Sequence, residues 1–313
     1  MAMRRGQIAA ALVALLLGAC LVAYPYVSDF ISRTHQIQAV GVQDDAVAKA
    51  DKAAIEREMR TCREFNERLR NNRAVVSDPF DPSNQPVTSR EYEQRLNLAG
   101  DGVMATLVIP KLDLTVPIYH GTGDDALQNG VGHMQTTSLP VGGASTHTVL
   151  AGHNGLPQVR IFDDIGKLRR GDYFVVQVLG EDHAYRVTWL ETVLPDKTDS
   201  LVIAEGKDEA TLVTCVPYSV NTHRLLVHAE RCKVPQEWLD RDKNDSRKSA
   251  SLQPGQAILP FSLAGGALVA GALLGRHLMR RRVERKVSAA ASSSPYARPT
   301  RSRGRHFKGG GHA

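Results

Sequence analysis

The stretch Ala210-Thr-Leu-Val-Thr-Cys215-Val-Pro217-Tyr-Ser-Val-Asn-Thr-His-Arg224-Leu-Leu-Val-His-Ala-Glu230 decides how this chain is read. Ala210–Cys215 has the composition of a strand, and Pro217 stops it because proline has no N–H to give to a ladder. Cys215 therefore sits at the mouth of the strand rather than in its middle. A second strand begins at Arg224, nine residues later, and a strand–loop–strand connection of that length brings Cys215 and Arg224 side by side. A guanidinium there favours the thiolate and has N–H groups to give to an oxyanion. A cysteine nucleophile also needs a proton donor for its leaving amine, usually a histidine brought close by the fold. Ala151-Gly152-His153-Asn154-Gly155-Leu156-Pro157 offers one on a glycine-flanked loop. Each feature alone has a plainer reading: a strand-end cysteine is more often structural, and a lone loop histidine more often serves no chemistry.

Working outward, short β-rich runs alternate with Gly, Pro and Asp turns from Val103 to about Cys232. They are Ala105–Ile109, Val116–Tyr119, Thr148–Ala151, Tyr173–Leu179, Tyr185–Leu194, Ala210–Cys215 and Arg224–Glu230. This spacing predicts an all-β barrel or sandwich of about 130 residues, enough to bury its own core. Upstream, Ile55, Met59, Cys62, Phe65 and Leu69 make one apolar stripe in a helix expected over Asp44–Arg70, with Cys62 as a small core residue. Asn71–Pro86 holds three prolines within eight residues and must be a loop. Thr88 and Glu91 have capping-box spacing, which opens a short helix to about Leu98.

The ends of the chain read as membrane anchors. Ile8–Val27, behind Arg4 and Arg5, and Ala257–Gly275, ahead of Arg276, Arg280, Arg281, Arg282, Arg285 and Lys286, are uncharged apolar runs of spanning length. Basic residues outside both runs put both termini in the cytoplasm and everything between them outside it. From Arg276 onward there are eleven Lys/Arg against Glu284 alone, a charge of +10, whereas the whole chain carries +6. The remainder is therefore about −4, and the high pI does not call for nucleic acid; the basic tail suits anionic lipid. A cleaved signal, or a lipoprotein box at Leu17-Gly18-Ala19-Cys20, competes for the first run, but that run stays apolar to Val27 and favours an uncleaved anchor. The expected organisation is an anchor over 1–30, helices and a loop over 31–102, the β-domain over 103–235, a linker over 236–256, a transmembrane helix over 257–279 and a basic tail over 280–313. With Cys20 in the anchor, Cys62, Cys215 and Cys232 remain, an odd number, so at least one thiol is free; a Cys62–Cys232 disulfide is compatible with an exported domain. His120, His133, His147 and His223 lack metal-ligand spacing, and neither metal nor cofactor is expected.

Taken together, Thr211-Leu-Val-Thr-Cys215, Asn221-Thr-His-Arg224-Leu-Leu-Val227 and Gly152-His153-Asn-Gly-Leu-Pro157 resemble the three active-site segments of the sortases, most of all class C, the pilus-assembling group. Ile109-Pro-Lys-Leu-Asp-Leu114, Tyr119-His-Gly-Thr122 and Thr137-Ser-Leu-Pro-Val-Gly-Gly143 extend the resemblance over about Ala105–Glu230. It implies a mainly β fold: a closed eight-stranded barrel with N-terminal helices and a lid loop, between two transmembrane helices. It also implies a His153, Cys215 and Arg224 triad that cleaves an LPXTG-like signal between Thr and Gly through a thioester, then passes it to a lysine amine of the next pilin. Asp78-Pro79-Phe80 matches the lid of class C, with Asp78 pairing to Arg224 and Phe80 over Cys215; the plain alternative is an Asp-Pro turn. Asn154, Val216 and Ser219 depart from the usual Arg or Ser, Thr and Gly, which leaves the recognised motif open. The competing readings are a sortase that anchors surface proteins to the cell-wall precursor, a hydrolytic cysteine protease, and a tethered β-domain that only binds surface proteins. The expected partners are LPXTG-type pilin or surface-protein substrates and the membrane, with the chain acting as a monomer.

Overall fold

The computed structural model describes residues 2–72, 75–81, 83, 88–156 and 160–240. The 241–256 part of the expected linker, the second apolar segment and the basic tail lie outside the described residues, as do Pro157 and parts of the 71–86 loop. Helix α1 (Ala2–Lys49) is followed by α2 (Lys52–Asn72) and the short α3 (Arg90–Gln94). The remaining elements are β1 (Val103–Ile109), β2 (Leu114–His120), α4 (Asp124–Asn129), β3 (Val131–His133), β4 (Thr146–Ala151), β5 (Tyr173–Val178), β6 (Glu181–Val193), β7 (Asp208–Val216) and β8 (His223–Arg231). The eight strands close into a barrel in the order β1-β2-β3-β4-β7-β8-β6-β5. Pairs β2–β3 and β4–β7 are parallel and the others antiparallel.

Alternation along the strands sends one face inward, as the two-residue period of a strand requires. Leu107, Ile109, Val116, Ile118, Leu150, Phe174, Val176, Tyr185, Leu212 and Val227 fill the core. Met59 and Cys62 of α2, with Tyr92 of α3 and Leu96, join the same cluster, so the helices complete the core rather than decorate it. Asn66 fastens α2 to the barrel: its amide donates to the Leu139 carbonyl at 3.1 Å and accepts from the Leu139 N–H at 2.7 Å. The apolar stripe read from the sequence is the face that packs here.

Several boundaries moved. The helix expected over Asp44–Arg70 is two helices, because the chain breaks at Ala50 and Asp51; the Asp51 carbonyl then accepts from Ala54 and Ile55 at 2.8 and 3.0 Å and starts α2. The α3 cap is Ser89, not Thr88: its hydroxyl accepts from the Tyr92 N–H, and the helix stops at Gln94 ahead of Leu96, which is at φ 59°. The stretch read as a linker starts inside the folded domain. Trp238 is buried against Val108, Val175 and Ala184, and its Nε1 donates to Asp182 at 2.6 Å. All four cysteines are free; Cys62 lies in the barrel core and Cys232 packs beside Trp238, so the disulfide between them does not form. Among the described residues no helix is long and apolar enough to cross a membrane. The first apolar run falls in α1, which continues through polar and charged residues to Lys49.

Candidate active site

Two strand pairings bring the three distant segments together. In the antiparallel β7–β8 pair, Cys215 lies opposite Arg224. In the parallel β4–β7 pair, Ala151 is level with Val213, so two residues further on His153 reaches the level of Cys215. The pairing continues beyond the ladder through three bonds: Gly152 N–H to the Val213 carbonyl at 3.1 Å, Thr214 hydroxyl to the Gly152 carbonyl at 2.7 Å, and Asn154 Nδ2 to the Cys215 carbonyl at 3.0 Å. Thr214 and Asn154 were not singled out by the sequence for this part; they fix the backbones that carry Cys215 and His153.

Arg224 is held from two sides. Its Nη1 donates to the Asn221 and His223 carbonyls at 3.0 and 3.1 Å; its Nε and Nη2 grip the two Asp78 oxygens at 2.8 and 2.6 Å. Both side chains of this fork are only 11 % exposed, and such bidentate pairs are among the strongest charge-assisted contacts. Phe80 lies between the groups that flank the cysteine. Its ring centroid is 5.3 Å from the Arg224 guanidinium carbon and 5.7 Å from the His153 ring. It also packs on the apolar patch of Met134, Val149, Leu201, Val213 and Leu226. The segment 78–80 thus covers the mouth where the three predicted residues meet.

Electrostatically this arrangement is at rest. Burial, together with the negative Asp78, pushes the Cys215 thiol up to about 11 from an ordinary 9.0, against the pull of Arg224. Burial also lowers His153, with Asp124 opposing it. Near neutral pH the site then holds a thiol and a neutral imidazole, with the guanidinium charge spent on Asp78. Withdrawing Asp78 would return that charge to the sulfur, the condition that creates a reactive thiolate. A separate cleft of about 930 Å³ is lined by Val76, Thr137, His147, Leu201, Val202 and Glu205 among others. The Thr198 hydroxyl, in the loop between β6 and β7, donates to the Val76 carbonyl at 3.0 Å and ties that loop to the covering segment. Among the described residues no group of three or more His, Cys, Asp or Glu side chains is placed to hold a metal ion.

The chain matches the sortase domain model over residues 107–232. It is 31% identical to sortase A of Bacillus anthracis over 125 residues, which is 40% of this chain and 58% of that protein, so the chain spans little more than half of the curated relative it matches. Against solved structures, it is 43% identical to sortase C-1 of Actinomyces oris, with a TM-score of 0.54 over 57% of this chain and 99% of that one. Sortase C1 of GBS Pilus Island 1 shares 33% identity and a TM-score of 0.57 over 64% of this chain and 94% of that one. With barrel order, strand register and covering segment already in place, the chain belongs to the sortase family of cysteine transpeptidases, in close structural likeness to its class C members.

Proposed function

We propose that this chain is a pilin-joining sortase, with Cys215 as nucleophile, His153 as proton carrier and Arg224 as the group that stabilises negative charge. The observation that carries the reading is the meeting of all three at one barrel mouth under Asp78-Pro79-Phe80. In this account the lid first swings away, and the thiol proton passes to His153 Nδ1 or Nε2. The thiolate adds to the Thr carbonyl carbon of the sorting signal, and the oxyanion takes hydrogen bonds from the freed guanidinium. Collapse breaks the Thr–Gly bond; His153 gives its proton to the departing glycine amine, and a thioester remains on Cys215. A lysine amine then adds to the thioester carbonyl, loses its proton to His153 and expels the thiolate, leaving an isopeptide bond.

Two things favour pilin joining over cell-wall anchoring: the lid, and the likeness to a sortase whose name ties it to a pilus island. The basic clusters outside both apolar runs favour a membrane-anchored enzyme with an extracytoplasmic barrel. The test is to incubate the enzyme with an LPXTG peptide, a lysine-bearing pilin domain and a cell-wall peptide amine together, and to separate the products by mass. An isopeptide-linked product that disappears when the acceptor lysine is changed to Arg supports the reading. Coupling only to a cell-wall peptide amine supports anchoring, and free threonine acid alone supports the hydrolytic protease.

A further inference from the structure

A second polar system lies in the barrel wall, away from the covered mouth and on four different strands. His147 of β4 reaches the Val202 carbonyl through Nδ1 at 3.1 Å and the Thr211 hydroxyl of β7 through Nε2 at 2.8 Å. Thr211 in turn meets His228 Nδ1 of β8 at 3.0 Å, and His228 Nε2 meets Glu191 of β6 at 3.1 Å. His147 and His228 are 2 % and 6 % exposed, so water does not substitute freely for these partners. The row ends in an acceptor on both sides: a backbone carbonyl at one end and a carboxylate at the other.

Counting protons makes the row unusual. Each of its four hydrogen bonds needs one proton. Two neutral imidazoles supply one each and the hydroxyl supplies one, which leaves the row one short. We propose that His147, Thr211, His228 and Glu191 form a relay that binds one additional proton, and that this proton decides whether His147 pins the β6–β7 loop at Val202.

In the loaded state the extra proton belongs on His228, which faces the Glu191 carboxylate and stacks on Trp189 at 4.1 Å with the planes 10° apart; an aromatic face favours a cation. His228 then donates to both neighbours, Thr211 donates to His147 Nε2, and His147 donates from Nδ1 to Val202. When the proton leaves, one bond must fail. The bond to the charged carboxylate is the stronger kind, so His228 keeps its Nε2–H for Glu191. Of the links left, those at Thr211 join buried groups that water cannot serve, whereas the other end lies at Val202, a residue 55 % exposed; Thr211 therefore turns its proton to His228 Nδ1, His147 carries its proton on Nε2, and its bare Nδ1 faces the Val202 carbonyl. The latch at Val202 is the link that opens.

Other charges around the pair are acidic. Burial pushes both rings down and His147 opposes a charge on His228, while the Val202 carbonyl favours the charged form of His147, Glu191 that of His228, and Glu209 that of both. Glu209 is itself paired with Lys207 at 3.4 Å, and Glu205 and Asp199 line the cleft beside His147. Burial being the largest of these effects, the relay loads on the acid side of the ordinary histidine range. The pinned loop carries Leu201, in the patch that seats Phe80, and Thr198, which holds Val76. His147 is thus a positioning residue for one wall of the cleft and for the anchorage of the lid, whichever substrate the enzyme takes.

The test is imidazole ¹⁵N NMR of the intact barrel, which distinguishes Nδ1–H, Nε2–H and doubly protonated rings. In the native protein at pH 7.5, His147 should be the Nε2–H tautomer and should turn to Nδ1–H on acidification, as His228 and not His147 becomes doubly protonated. Glu191→Gln supplies the missing proton from its amide, so His147 should be Nδ1–H already at pH 7.5. Protection of amides over 198–204 should then be about fivefold above native, the factor one net hydrogen bond supplies. Thr211→Val cuts the row and should also leave His147 as Nδ1–H, which keeps the test valid should the Glu191 variant fail to fold. A native His147 already Nδ1–H at pH 7.5, or a tautomer that neither variant nor acid changes, overturns the relay.

Discussion

Replacing Asp78 with Ala removes one side of the fork that holds the lid over Cys215, and the consequence can be sized. The fork is two charge-assisted bonds at 2.8 and 2.6 Å between side chains only 11 % exposed. When the lid opens both groups regain water, so only the net advantage of the pair is lost, about 1.5–3 kcal/mol for bonds to charged groups. That shifts the open-to-closed ratio by about 13- to 160-fold, while Phe80 keeps its apolar seat. A bulky thiol reagent reaches Cys215 only in the open form, so its second-order rate at pH 7.5 should rise by about one to two orders of magnitude. The removal of Asp78 also lets Arg224 act alone on the sulfur, which adds to the increase. Stopped labelling with mass detection at Cys215 measures this directly, with Cys62 as the internal unreactive thiol. A rate within twofold of native would refute the lid reasoning and leave Asp78-Pro79 as an ordinary turn.

Further outcomes follow from the same geometry. The closed form keeps its thiol proton to about pH 11, whereas an opened, hydrated thiol beside Arg224 releases it near or below 9; the open state therefore binds fewer protons between those values and rising pH favours opening. The native labelling rate should keep climbing towards pH 11, and the Asp78→Ala, Phe80→Ala double variant should level off at least one unit earlier, a comparison made by stopped-flow over pH 7–11. Trp238→Ala should destabilise the barrel by about 3–5 kcal/mol, since it empties a buried indole site and removes the donor to one of the two Asp182 oxygens; urea unfolding checks this, with the Cys215 labelling rate in folded protein unchanged. A cytoplasm-dependent reporter fused after Ala313 should be active and one fused after Pro254 silent; the reverse pattern would remove the extracytoplasmic barrel from the account.

Much of this site was legible because its parts are local in the sequence. The β7–loop–β8 hairpin places Cys215 against Arg224 through nine residues of chain, and Pro217 marks where the strand must give out. His153 was readable as a loop histidine, but its level with Cys215 depends on the parallel β4–β7 pairing across some sixty residues, which periodicity does not encode. Strand β3 escaped notice because it has three residues, and its Gly132 sits where a Cβ would lie 2.4 Å from the Gly121 carbonyl oxygen; a strand that short leaves no alternation to read. The stretch 236–256 looked like a linker by its charge, yet a single Trp238 outweighs its polar neighbours once a pocket of Val108, Val175 and Ala184 exists to receive it. The Asp78 lid was visible only through family resemblance, since nothing about an Asp-Pro-Phe loop states which cation it will meet. The histidine relay was the least legible of all: its members come from four strands, and each alone reads as an ordinary polar residue of a barrel wall.

The most direct measurement of the central claim is peptide mapping by mass spectrometry after the lid-opened variant is mixed with a sorting-signal peptide and quenched in acid. The account predicts a thioester-linked fragment ending at Thr on Cys215, reversed by hydroxylamine, and absent in the Cys215→Ala protein that retains its native unfolding curve. A fragment found on Cys62 or Cys232, or product formed by Cys215→Ala, would contradict it.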